Sequence, residues 1–122
     1  MTMPTISSVF YYTRDLDRAV SLWCDSIGLR RVDDGSVPGW AELAGPPAIF
    51  IHSVEDLPAP ESAIAVAVED IDDVINRCPG DVEIGDRFDV APGQPAVNIH
   101  PPDGQSVLIH HKTHPAQPGG PH

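Results

Sequence analysis

The chain has 122 residues, 41% of them hydrophobic, and 7 basic against 18 acidic side chains give a formal net charge of −11. That length suits one domain built from two small units around a shared core, and a surface this acidic repels phosphate backbones, which excludes nucleic acid binding through a basic patch. No stretch approaches the ~20 consecutive apolar residues of a membrane span.

Residues 1–9 lack the basic and long apolar regions of a secretory signal, and two cysteines are too few for a disulfide framework. A cytoplasmic protein is expected. Residues 6–13 (ISSVFYYT), rich in aromatic and β-branched types, read as a strand. Asp15 then caps a helix whose apolar positions Leu16, Ala19, Val20, Trp23 and Ile27 recur at helical spacing, and Gly28 ends it. Short strands are expected near 29–32, 39–43 and 48–52, with turns at Asp33-Asp34-Gly35 and Gly45-Pro46-Pro47.

The second half repeats this order. Residues 63–68 (AIAVAV) read as a strand, and Asp70 opens a helix with Ile71, Val74, Ile75 and Cys78 on its apolar face, closed by Pro79-Gly80. Strands follow near 82–85, 96–100 and 106–111, with Asp103-Gly104 as the last turn. Asp15-Leu16-Asp17 matches Asp70-Ile71-Asp72, and the strand ending in His52 matches the one ending in His110. The expected architecture is α+β: two tandem βαβββ units, about 5–53 and 62–111, forming a cupped mixed sheet with helices outside. Residues 1–112 make a single domain in this reading. Residues 113–122 (THPAQPGGPH) are Pro- and Gly-rich and read as a flexible tail.

The strand before Arg14-Asp15-Leu16-Asp17-Arg18-Ala19-Val20, the run Leu22-Trp23-Cys24-Asp25-Ser26-Ile27-Gly28-Leu29 and the turn Pro101-Pro102-Asp103-Gly104-Gln105 together resemble the vicinal oxygen chelate superfamily. That superfamily holds the glyoxalase, bleomycin-resistance and extradiol-dioxygenase proteins. The resemblance runs from Ile6 to about His111. It implies that each unit curls its strands into half a cup, and that metal-dependent members take ligands from the first and last strands of each unit. Those positions fall here on Ser8, Phe50, Ala63 and Leu108, which offer none of the carboxylate, imidazole or thiolate donors a divalent cation needs. No metal and no cofactor are expected at that place.

Strand alternation assigns the two faces. Val9, Tyr11, Ile49, Ile51, Ile64, Val66, Val68, Val107 and Ile109 form the helix-facing core. The opposite face, lining the cup, carries Ser8, Phe10 and Tyr12; Ala63, Ala65 and Ala67; Trp40 and Glu42; Ala48, Phe50 and His52; Asn98 and His100; and Ser106, Leu108 and His110. The alanines leave room, while the aromatic side chains suit a planar ligand by stacking or a cation through their π faces. Glu42 would hold a ligand's positive charge, with Tyr12, Asn98 and Ser106 as hydrogen-bonding groups. The candidate ligand-binding residues are Phe10, Tyr12, Trp40, Glu42, Phe50, Asn98, His100, Ser106, Leu108 and His110. The competing reading gives the same aromatics to a packed core or a dimer interface.

The expectation is therefore a metal-free protein that sequesters a planar aromatic or cationic natural product as antibiotic self-resistance. The resemblance to the bleomycin-resistance branch implies a homodimer with shared grooves. One alternative is a glyoxalase- or dioxygenase-like enzyme with a displaced metal site at His52, His100, His110 and Glu42. Another is an accessory protein binding an intermediate of secondary metabolism. No nucleophile pattern accompanies the histidines, so no catalytic residue is assigned.

Overall fold

A computed structural model of the chain describes residues 7–58 and 64–112. Residues 1–6, 59–63 and 113–122 lie outside the described residues, and with them Ile6, Ala63 and the expected tail. The first strand, β1 (Ser8–Thr13), leads into α1 (Leu16–Ser21), whose N-cap Asp15 accepts a hydrogen bond from the Arg18 backbone N–H. The helix expected to run unbroken to Ile27 changes winding after Ser21 into a π-helical stretch, Leu22–Ile27. Gly28 closes it at φ 105°, a left-handed conformation that a β-carbon would strain.

The strands β2 (Trp40–Leu43) and β3 (Ala48–Ser53) complete the first unit in the order β1-β3-β2, with β1 parallel and β2 antiparallel to the central strand. The strand expected at 29–32 is reduced to one bridge, Arg31 to Leu43, flanked by hydrogen bonds from Val32 N to Glu42 O (2.9 Å) and Ala44 N to Arg30 O (2.8 Å). The Arg31 side chain is committed to Asp33, and Val32 stays exposed, so nothing packs this segment down as a full edge strand.

The second unit runs β4 (Ala65–Val68), α2 (Ile71–Arg77), β5 (Glu83–Ile84), β6 (Phe88–Ala91), β7 (Gln94–His100) and β8 (Val107–His111). Its sheet has the order β4-β8-β7-β5, and β6 pairs with β7 through an irregular register. The strand β6 is an addition to the sequence reading. Its large apolar side chains, Phe88 and Val90, stay exposed, and the alternating run Phe88-Asp89-Val90 is too short to mark a strand. The α+β reading holds, with two mixed sheets and few helices. Among the described residues no helix is long and apolar enough to cross a membrane.

The alternation drawn from the sequence matches the burial. Tyr11, Ile49, Ile51, Val107 and Ile109 are buried, and Val9, Ile64, Val66 and Val68 pack partly buried against the same cluster. That cluster joins both units, because Trp23 and Leu22 of the first helix and Ile71 and Val74 of the second contribute to it. Cys24 and Cys78 are half-buried at its margin, and burial pushes both thiols up.

A polar clasp ties β1 to the turn before β8. Tyr11 Oη donates to the Gln105 backbone carbonyl, Gln105 Oε1 accepts from Tyr12 N at 3.0 Å, and Thr13 Oγ1 donates to the Asp103 carbonyl at 3.0 Å. Outside it, Arg18 reaches Asp81 (2.5 Å) and Asp103 (3.2 Å). Being solvated, those ion pairs add little to stability.

Candidate functional site

The face of the first sheet opposite the helices is built from two cross-strand rows. The β1–β3–β2 register sets Phe10 beside Phe50 and Phe50 beside Glu42, and it sets Tyr12 beside His52 and His52 beside Trp40. Side chains directly opposite on one face of a sheet touch, and the rings do so here. Phe10 stacks on Phe50 with centroids 5.8 Å apart, and Trp40 meets both phenylalanines edge-on at 5.9 and 6.0 Å. Trp40 stacks on His52 at 4.5 Å, and Tyr12 lies tilted against the same imidazole at 5.9 Å. Each such pair contributes roughly 0.5–1.5 kcal/mol beyond its area. Even so, the wall stays open: Phe10 keeps 48% of its surface exposed, and the other members are only half-buried.

Beside this wall lies a recess of about 180 Å³ lined by Asp33, Asp34, Val37, Trp40, Ala41, Glu42 and Phe50. Glu42 has no hydrogen-bond or ion-pair partner for its carboxylate among the described residues. Asp33 is fully engaged. It takes Arg31 Nε at 2.7 Å and a second guanidinium N–H at 3.0 Å, and it accepts the backbone N–H groups of Gly35 (3.0 Å) and Glu42 (2.9 Å). The Arg31 guanidinium holds this carboxyl far below the usual carboxylate range. Asp34, also lowered, is capped by Ser36. The recess therefore carries more negative than positive charge at neutral pH. In the sequence, Asp33 and Asp34 mark a turn and nothing more. Their role depends on the turn folding back over β2, which no local pattern signals.

The second sheet carries the other candidates on one face. Asn98 pairs with Leu108, Ala96 with His110, Ala65 with Leu108 and Ala67 with His110. His100 Nδ1 lies 2.6 Å from Ser106 Oγ, and His110 Nδ1 lies 3.2 Å from Gln94 Nε2 and 2.9 Å from the His111 carbonyl oxygen. Ala65 and Ala67 are exposed beside them. Among the described residues, the side-chain hydrogen bonds and ring contacts of each set stay within its own sheet. The structure thus gathers Phe10, Tyr12, Trp40, Glu42, Phe50 and His52 in one group, and Asn98, His100, Ser106, Leu108 and His110 in another.

The positions that the family resemblance marks for metal ligands do not fit a metal. Ser8, Phe50 and Leu108 supply at most one hydroxyl, and Ala63 lies outside the described residues. The displaced set fares no better. His52 stacks on Trp40 in the first sheet while His100 and His110 sit in the second, and among the described residues no three His, Cys, Asp or Glu side chains converge.

No family model matches the chain, and no curated protein matches it in sequence. Solved structures do match in shape. A glyoxalase/bleomycin resistance protein/dioxygenase superfamily member from Sphaerobacter thermophilus DSM 20745 aligns with a TM-score of 0.68 at 18% identity, covering 90% of this chain and 98% of that one. TnmS3, an antibiotic binding protein from Streptomyces sp. CB03234, aligns at 0.69 and 14% identity over 93% of this chain and 99% of that one. A lactoylglutathione lyase from Agrobacterium tumefaciens aligns at 0.66 and 19% identity over 91% and 96%. A binder and a lyase on one scaffold illustrate that the fold alone does not fix the activity. The chain has the fold of the glyoxalase/bleomycin resistance protein/dioxygenase superfamily.

Proposed function

We propose that the chain is a metal-free small-molecule binding protein that sequesters a planar aromatic or cationic natural product, in the service of antibiotic self-resistance. The observation that carries this reading is the open aromatic wall of Phe10, Phe50, Trp40, His52 and Tyr12 with the unpartnered Glu42 carboxylate at its edge. A wall meant only for a core would be covered. Here a flat ligand replaces water on the exposed rings, and a basic group on it settles over Glu42 and Asp34 in the adjoining recess. The antibiotic binding activity of TnmS3, which shares the fold, supports the reading. The net charge of −11 speeds capture of a basic ligand more than it tightens the complex.

The chain acts in the cytoplasm as a homodimer in this account, with residues 1–112 as one domain and grooves shared between the two copies. Calorimetric titration of the chelator-treated protein with a planar cationic antibiotic, alongside sedimentation, tests both parts. One ligand per chain bound by a dimer is expected. Equal affinity with and without the aromatic side chains would end the proposal.

A further inference from the structure

We infer that His100 and Ser106 form a base–nucleophile pair able to take an acyl group from an activated ester, an activity separate from the stacking wall on the first sheet. His100 closes β7, and Ser106 stands just before β8. The register that sets Ile99 against Val107 brings the two opposite each other. His100 Nδ1 lies 2.6 Å from Ser106 Oγ, at the short end for a hydroxyl hydrogen bond. On the other side of His100, Glu83 of β5 is its direct cross-strand partner. Glu83, His100 and Ser106 therefore occupy one cross-strand row, in which only the imidazole and the hydroxyl are hydrogen-bonded, the arrangement of a base and its nucleophile. The row spans three strands, which is why no spacing in the sequence announces it.

The surroundings suit the chemistry. The Nε2 edge of His100 lies on the β5 side, close to Gly85. Asn98, two residues back on the same face, has no partner for its side-chain amide among the described residues, so that N–H is available to a developing oxyanion. Exposed Ala65, beside Leu108, leaves the approach uncluttered.

In the tautomer with its proton on Nε2, His100 accepts the Ser106 proton at Nδ1 as Oγ attacks the ester carbonyl carbon. The adduct collapses by breaking the carbon–oxygen bond to the leaving group, which takes the proton from Nδ1 and departs as an alcohol or phenol. Ser106 is left acylated. Water, deprotonated by the same nitrogen, then attacks the acyl group and releases a carboxylic acid, while the proton returns to Ser106 Oγ. The net change is ester plus water to acid plus alcohol.

The test incubates the full chain with p-nitrophenyl acetate, following nitrophenolate release and locating the acetyl group by peptide mass. One acetyl group at Ser106 is expected, lost in Ser106→Ala and formed about 100-fold more slowly in His100→Gln. Ser106→Cys, with a stronger nucleophile, should restore acylation. Acetylation only at lysines, or acetylation of Ser106 that is unchanged in His100→Gln, would overturn the assignment. If Ser106→Ala does not fold, the unmodified chain and His100→Gln decide the matter alone.

Discussion

Trp40 and His52 lie face to face as cross-strand partners on β2 and β3, with ring centroids 4.5 Å apart and planes 16° from parallel. The stack holds the indole against the imidazole and leaves it only half-buried, which makes Trp40 the stacking platform of the proposed site. Trp40→Ala should lower affinity for a planar aromatic ligand by about tenfold, the loss of ~1.4 kcal/mol of ring contact. The melting temperature should fall by only a few degrees, since a half-exposed ring gives up less burial than a core residue. Fluorescence or calorimetric titration beside a thermal melt checks both; unchanged affinity removes Trp40 from the site.

Glu42 separates the charge contribution from the stacking contribution. Its carboxylate has no partner among the described residues and adjoins the recess that also holds Asp34. Glu42→Gln should weaken cationic ligands about tenfold and leave neutral planar ligands within about twofold, a difference of roughly 1 kcal/mol expected for a partly solvated ion pair. Paired titrations with a charged ligand and its neutral analogue measure this. Equal losses for both would place the charge role elsewhere.

Asp33 makes the recess loop sensitive to acid. Its carboxyl is held well below its unfolded value by Arg31, so the unfolded chain binds more protons through the usual carboxylate range. The stabilisation is therefore present above the unfolded pKa and is lost as pH falls, beginning between about pH 5 and pH 3. Asp33→Asn should lower the melting temperature at pH 7 and flatten its decline over that interval. Melts of both proteins across the range give the comparison; parallel curves would show that the Arg31–Asp33 bonds do not stabilise the fold.

Tyr11 tests the clasp between the units. It is fully buried, burial pushes its phenol well above the usual range, and its hydroxyl stays a donor to the Gln105 carbonyl at every pH of interest. Tyr11→Phe should cost about 0.5–1.5 kcal/mol by removing a buried hydrogen bond to the Gln105 carbonyl. Gly104→Ala should also destabilise, because its new methyl would sit 2.6 Å from the Tyr11 hydroxyl. Denaturant unfolding reads both, and a loss below 0.5 kcal/mol in Tyr11→Phe would remove the clasp from the account.

Much of the fold was legible because two signals agreed along the chain: strand alternation in ISSVFYYT and AIFIH, and capped helical periodicity after Asp15 and Asp70. Along β3 the face assignment drawn from alternation matches the burial, with Ile49 and Ile51 inside against Phe50 and His52 on the open face. What escaped was whatever depends on neighbours distant in sequence. The strand β6 forms because β7 offers it an edge, although Phe88 and Val90 bury little. The segment at 29–32 looked like a strand by composition, yet the Arg31–Asp33 pairing draws it into a loop that bonds β2 only at intervals. For the candidate site, the sequence supplied which side chains share a face. It did not disclose that Asp33 and Asp34 border Trp40 and Glu42, or that His100 and Ser106 meet across two strands.

The most direct measurement is a thermal-shift series on chelator-treated protein, with divalent metals in some wells and planar cationic and glycopeptide antibiotics in others. A ligand that prefers the folded state raises the melting temperature, by about 2.7 kcal/mol of added stability at a hundredfold excess over its dissociation constant. The account predicts a rise with a planar cationic antibiotic, a smaller rise in Trp40→Ala, and none with metal. A rise with divalent metal and none with any antibiotic would contradict it.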